Sequence, residues 1–241
     1  MDNEFTIGQI FDKSFQIFTS NIVFMLLASL LISLPSTILN MLSGNVYIVL
    51  SSVLVTVFIV FLAQALVVYG VFQHLTGRKM VFSQSLKVAL RQIVPVLVVA
   101  FVVISLTMLG FLMLVIPGAI VHTMLWVAVP VIIVEKGGLG HALRRSMTLT
   151  QGYRWRIFFL MFILGVLNSL MQWIEQMAMA GIFLSGMEQN LTQVFLVSLP
   201  LSVLLSGMVG VLISVVVTVG YYTLRHEVEM VAPGDLASVF E

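Results

Sequence analysis

The chain has 241 residues, of which 60% are hydrophobic and only 9% are charged. A soluble domain carries a charge on about a quarter of its residues, so this composition excludes an ordinary water-soluble protein. The formal net charge of +1 argues against a general nucleic-acid binder. The chain contains no cysteine, which excludes disulfides, thiolate nucleophiles and cysteine-ligated metal sites.

The first apolar stretch begins at Ile22 and is too long to be the core of a secretory signal. The residues Met1-Asp2-Asn3-Glu4 are acidic, whereas the start of a signal would be basic. We therefore expect the first span to be retained.

Stretches without any Asp, Glu, Lys or Arg follow along the chain, at residues 14–77, 92–134, 157–174 and 189–224. A membrane span needs only about 20 apolar residues, and Gly and Pro at 43–45 and 116–118 divide the two longest stretches. The sequence therefore predicts one transmembrane domain over residues 1–241 with six spans, at about 22–42, 46–73, 93–115, 118–134, 155–175 and 191–224. Pro200, Gly207 and Gly210 predict a bend in the last span.

The positive charges give this map an orientation. All 11 Lys and Arg residues fall before span one, between spans two and three, between spans four and five, or after span six. They are Lys13, Arg78, Lys79, Lys87, Arg91, Lys136, Arg144, Arg145, Arg154, Arg156 and Arg225. Short cytoplasmic segments are enriched in Lys and Arg, so the sequence predicts that both termini lie in the cytoplasm.

A short segment with helical amphipathic spacing precedes each pair of spans. The apolar faces are Ile7, Phe11, Phe15 and Phe18 in the first segment, Leu86, Leu90 and Ile93 in the second, and Leu139, Leu143 and Met147 in the third. The predicted fold is an all-α integral membrane protein with about six transmembrane helices in three hairpins, each preceded by a short cytoplasmic amphipathic interface helix. The three units indicate either an ancient repeat or the shared need of helical hairpins for basic connectors.

One region carries a recognisable pattern. It runs from Leu114-Val115-Ile116-Pro117-Gly118 through Trp126, Pro130 and Val134-Glu135 to Ala142-Leu143-Arg144-Arg145-Ser146-Met147 and Trp155. This pattern resembles the YciC-like bacterial inner-membrane proteins and the membrane domain of some glycerophosphoryl diester phosphodiesterases. The resemblance implies a bacterial inner-membrane, multi-pass protein. It does not imply phosphodiesterase activity, because that chemistry belongs to a separate soluble domain.

A catalytic site would require paired carboxylates, a histidine-supported nucleophile, a metal cluster or a phosphate-binding loop. None of these patterns occurs in the sequence, and the four histidines are dispersed at positions 74, 122, 141 and 226. We therefore predict that the chain is not an enzyme and that it binds no cofactor and no metal.

Three polar residues are expected near or within the membrane: Glu175 and Asn168 on span five, and His122 on span four. Ionisable groups at membrane depth tend to be functional, and such residues can form a path for protons or cations. The alternative, which we favour, places Glu175 among the headgroups, because Trp173 is typical of an interfacial aromatic.

Four arginines flank span five at its predicted cytoplasmic end: Arg144, Arg145, Arg154 and Arg156. They are candidates for binding lipid phosphates through charge-assisted hydrogen bonds. Simple topological anchoring is the competing interpretation, and the sequence favours it because every multi-pass protein needs such cations.

Small residues recur at every fourth position of span six, at Ser198, Ser202, Ser206, Gly210 and Ser214. Such a stripe lets helices approach closely. Packing within the chain is the favoured use, and homodimerisation is the alternative.

The predicted function is a non-catalytic membrane scaffold or envelope-associated factor that contacts anionic phospholipid or partner proteins. The partner is membrane phospholipid, with a homo-oligomer or another membrane protein as further options and no nucleic acid. The alternative is a small transporter or channel with a polar path through His122, Asn168 and Glu175, to which Gln64 and the bend in span six add limited support.

Overall fold

A computed structural model describes residues 6–41, 46–184 and 191–238. The helices are α1 (Ile7–Ser20), α2 (Ile22–Met41), α3 (Val46–Leu75), α4 (Phe82–Met113), α5 (Val115–Met124), α6 (Ala128–Glu135), α7 (Leu139–Leu149), α8 (Arg154–Leu184), α9 (Leu191–Ser202) and α10 (Met208–Ser238). No strand occurs in these described ranges. The predicted break at 43–45 lies outside the described residues.

Six segments of this structure are long and apolar enough to cross a membrane. They are Ile22–Leu39, Ser51–Leu75, Phe82–Met113, Val115–Glu135, Arg154–Gly181 and Val194–Glu229. The protein is therefore an all-α multi-pass membrane protein, which confirms the fold class predicted from composition and spacing.

The core lies where α3, α6 and α10 meet. Every side chain from Ala128 to Ile133 on α6 is buried, and α6 contacts α3, α4, α7 and α10. A helix that is apolar on all sides belongs in the centre of a bundle. By contrast, α8 lies at the periphery, where its buried residues between positions 154 and 181 are Ile157, Leu160 and Leu164.

Two of the three amphipathic segments form separate short helices, α1 and α7. The second segment does not, because residues 82–92 continue directly into span three as part of the 32-residue helix α4. Nothing between Lys87 and Pro95 favours a turn. Pro95 removes one backbone hydrogen bond and leaves the helix continuous.

Span four is broken rather than continuous. Residues 125–127 form a turn between α5 and α6. The neighbouring helix α7 supplies hydroxyl groups that approach a backbone carbonyl oxygen at this interruption. The Ser146 hydroxyl donates to the Met124 carbonyl oxygen at 2.9 Å, and the Thr150 hydroxyl lies 3.4 Å from the same oxygen. Irregular backbone within a membrane protein requires such partners.

Span six is interrupted as well. A π-helical turn, Val203–Gly207, separates α9 from α10 and begins three residues after Pro200. Proline lacks an N–H donor and clashes with the carbonyl one turn earlier, so Pro200 disturbs α9 itself, and the π-helical turn is a second irregularity of the same span.

Candidate functional site

A group of polar side chains joins the end of α6 to α7 and to the middle of α10. We call it the polar cluster; it comprises Glu135, His141, Arg145, Tyr221, Arg225 and Glu229. At its centre the Glu135 carboxylate accepts hydrogen bonds from the Tyr221 hydroxyl at 2.9 Å and from Arg145 Nε at 3.3 Å. Its second oxygen lies 2.8 Å from His141 Nε2. Glu135 is therefore held by three neighbours from two helices.

The outer half of the polar cluster is formed by Glu229. It accepts from Arg145 Nη2 at 2.6 Å and from Arg225 Nε at 3.0 Å. Helix α1 joins the same end of the bundle, because Lys13 Nζ lies 5.2 Å from the ring centroid of Tyr222. The carboxylates and guanidinium groups of the polar cluster compensate one another. The polar cluster therefore serves to hold these helices together.

A cavity of about 490 Å³ lies between α8 and the rest of the bundle. Its lining is mostly aliphatic and aromatic, with Gln64, His122, Thr123 and Asn168 as its polar members. Three further lining residues, Ile104, Phe111 and Phe162, are also among the exposed hydrophobic side chains of the protein. The cavity therefore opens sideways, through a rim made of apolar residues.

A second cavity of about 370 Å³ lies between α5 and the first turns of α8. Ala119, Thr123 and Phe158 line both cavities, so the two are adjacent. Arg154 and Trp155, at the beginning of α8, line the second cavity together with Val115 and Ile116. The predicted map put these two pairs at opposite faces of the membrane, so the structure corrects it here. We call the two cavities together the α8 groove.

The α8 groove follows the helix from Arg154 to Asn168. These positions are roughly 21 Å apart along the helix axis at about 1.5 Å per residue. One leaflet of a bilayer contributes about 15 Å of hydrocarbon, half of a core about 30 Å thick. The groove is long enough to hold an extended acyl chain.

The three intramembrane polar candidates are not brought together. His122 and Asn168 line the same cavity, in which Gln64 also takes part. Glu175 is not among the lining residues; it lies two helical turns beyond Asn168 on α8. The geometry thus groups two of the three residues and separates the carboxylate from them.

The four candidate arginines are also dispersed. Arg145 is engaged in the polar cluster, and Arg144 lines a surface depression beside His141. Arg156 lies with its guanidinium carbon 5.9 Å from the Tyr153 ring centroid. Of the four, Arg154 is the one that lines the α8 groove.

The small-residue stripe of span six packs against α2. Ser198 and Ser202 are buried, and Ser202 Oγ lies 3.3 Å from the Thr37 hydroxyl on α2. Ser206 and Ser214 instead donate to carbonyls of their own helix, those of Ser202 and Gly210. These contacts give the stripe a partner within the chain.

Within this stripe, the predicted Gly210 has open space around it. The glycine at the point of closest approach is Gly207, where an added Cβ would lie 2.6 Å from Ser33 Oγ and 3.1 Å from Ser29 Cβ. The fourfold spacing predicted Ser206 in the stripe, and Gly207 follows it by one position, as expected where a π-helical turn adds one residue to the register.

Sequence reasoning missed Glu135 as the centre of the polar cluster. A usable signal was present: it is a lone acid at the end of an apolar span, followed across Gly137-Gly138 by His141 and Arg145. Gly165, which lines the α8 groove, carried no such signal.

These features define a multi-pass α-helical membrane protein with a laterally open apolar groove. Comparison of the chain with protein-family models, with curated proteins and with solved structures gives no match. The resemblance to YciC-like proteins stays a prediction from the sequence.

Proposed function

We propose that the protein is a non-catalytic, lipid-associated membrane scaffold that holds a membrane lipid in the α8 groove. The observation that carries this proposal is the sideways opening of a mostly apolar cavity in the spanning part of the molecule. A groove that faces the bilayer is filled by what surrounds it, and an acyl chain matches an apolar lining.

The bacterial inner membrane is the proposed location. The resemblance of residues 114–156 to YciC-like proteins and the clustering of Lys and Arg in alternate connecting segments support it. A homo-oligomer or another membrane protein remains a proposed further partner.

Filling the α8 groove tests the proposal. Gly165 lines the cavity, and an added Cβ there meets no atom within 4 Å, so a side chain can leave the backbone at this position without a clash at its first carbon. We expect Gly165→Phe, purified in mild detergent, to retain less phospholipid per protein than the unchanged chain. Quantitative lipid extraction with mass spectrometry measures this ratio.

Gly181→Phe is the matched control. Gly181 is on the same helix and also has open space around it, but it does not line the groove. Equal lipid retention by the unchanged chain, Gly165→Phe and Gly181→Phe would contradict the proposal.

A small transporter is the second candidate, because His122, Asn168 and Gln64 line one cavity. It predicts solute or proton flux in proteoliposomes that is lost in His122→Ala. A flux that is unaffected by His122→Ala, or no flux at all, speaks against a path through this cavity.

A further inference from the structure

Arg154 is placed unusually for a cation at the end of a membrane helix. It lines the cavity between α5 and α8, whose other members include Val115, Ile116 and Ile120. Its Nε atom is buried and has no hydrogen-bond partner within residues 6–41, 46–184 and 191–238. A guanidinium beside apolar side chains is costly unless an anion compensates it.

The cavity contributes no such anion. No Asp or Glu is among its lining residues, and the ion pairs of the described chain involve Glu135 and Glu229, which belong to the polar cluster. The charge of Arg154 is therefore not balanced by the described part of the protein.

The surroundings indicate which anion fits. One wall of the cavity is aliphatic, which suits an acyl chain, while Arg154 offers a planar donor fork that matches a phosphodiester. Trp155 lines the same cavity and is 76% exposed, as expected of an aromatic at headgroup level. Because no carboxylate lines the cavity to balance Arg154, its own charge disfavours a headgroup that carries a cation.

We propose that the cavity between α5 and α8 binds an anionic phospholipid, with its phosphodiester on Arg154 and an acyl chain in the α8 groove. This inference rests on the proposed function and adds to it a headgroup class and a residue that selects it. The expected preference is for a lipid with a net negative headgroup over a zwitterionic lipid with the same chains.

Trp155 supplies a local probe. Replacing the other two tryptophans (Trp126→Phe and Trp173→Phe) leaves Trp155 as the single fluorophore of the full chain. The protein is reconstituted into phosphatidylcholine vesicles that contain either brominated phosphatidylglycerol or brominated phosphatidylcholine, because bromine quenches a tryptophan that it touches. Both lipids offer a phosphodiester to Arg154, but the zwitterionic lipid also brings a choline cation towards it. Half-quenching is therefore expected at an about tenfold lower mole fraction of the anionic lipid.

Arg154→Gln is expected to abolish this preference, and Arg154→Lys to keep part of it, since lysine retains the charge without the fork. Arg91→Gln is the matched control: it removes one exposed positive charge from α4 and is expected to keep the full preference. Should Arg154→Gln fail to fold, the partial loss in Arg154→Lys carries the test.

Equal quenching by the two brominated lipids would overturn the inference, and so would a preference that survives Arg154→Gln. A further arm adds inorganic phosphate to vesicles of brominated phosphatidylcholine alone. If phosphate relieves the quenching, and does so only when Arg154 is present, the site binds a free anion. That result would overturn the proposal that it binds a lipid headgroup.

The two proposals fail in different ways. If groove filling at Gly165 lowers retained lipid while Trp155 shows no headgroup preference, only the Arg154 inference is wrong. If retained lipid is unchanged by groove filling, the proposed function itself is wrong.

Discussion

Glu135 is the residue on which the packing of α6, α7 and α10 converges. Its side chain is 14% exposed and accepts from donors on α7 and α10. A carboxylate held in this way stabilises the fold only while its donors remain in place. Loss of the carboxylate would leave the Tyr221 hydroxyl without its acceptor and Arg145 with Glu229 as its remaining carboxylate partner.

We predict that Glu135→Ala lowers the free energy of unfolding by about 2 kcal/mol, because the Tyr221 hydroxyl loses its acceptor and Arg145 loses one of its two carboxylate partners. Thermal unfolding of the detergent-purified protein, followed by size-exclusion chromatography, measures the loss.

Glu229→Ala is the comparison at the exposed side of the same cluster. Its side chain is 46% exposed, so solvent screens its two ion pairs and we expect a loss below about 1 kcal/mol. Equal losses in the two variants would show that Glu135 has no special structural role.

At the scale of elements, the contact between span six and α2 depends on the π-helical turn. That turn places Gly207 against Ser29 and Ser33, while Gly210 faces open space. Pro200 was a visible signal for an irregularity in this span. The residue at closest approach was not predictable, because it depends on how the extra backbone residue of the turn rotates the helix.

We predict that Gly207→Ala destabilises the protein by about 1 to 3 kcal/mol, since the new methyl group would overlap Ser33. Gly210→Ala is expected to be neutral or slightly stabilising, because alanine favours a helix and meets no neighbour there. The midpoints of thermal unfolding of the two variants are compared directly. A larger loss at Gly210 would mean that the α2 contact is misplaced.

The break between α5 and α6 also belongs to this scale. The apolar run from residue 118 to 134 predicted one continuous span, and nothing in its composition marks a turn at 125–127. The turn is stable because the hydroxyls of Ser146 and Thr150 on α7 approach the Met124 carbonyl. A tertiary contact thus decides a feature of secondary structure.

At the scale of the whole molecule, the structure brings several of the predicted cytoplasmic segments to one end of the bundle. The polar cluster joins α6, α7 and α10 there, and Lys13 of α1 reaches Tyr222 of α10. The side of the membrane on which this end lies follows from the positive-inside rule and stays a prediction.

The chain has no cysteine, so each introduced cysteine is unique. We predict that Lys79→Cys and Lys136→Cys react with a membrane-impermeant maleimide only after bacterial cells are permeabilised. Ser43→Cys, in a predicted outer loop, should react in intact cells. Labelling of Lys79→Cys in intact cells would reverse the proposed orientation.

The sequence by itself determined that this protein lies in a membrane, that it is helical and how many spans it has. Bilayer thickness and the cost of placing a charge in lipid act on every residue locally, so composition and spacing report them. Tertiary structure decided which of four similar arginines lines the α8 groove, which glycine contacts α2, and that His122 shares a cavity with Asn168 rather than with Glu175. These outcomes depend on how helices rotate and approach one another, which single-chain spacing does not encode.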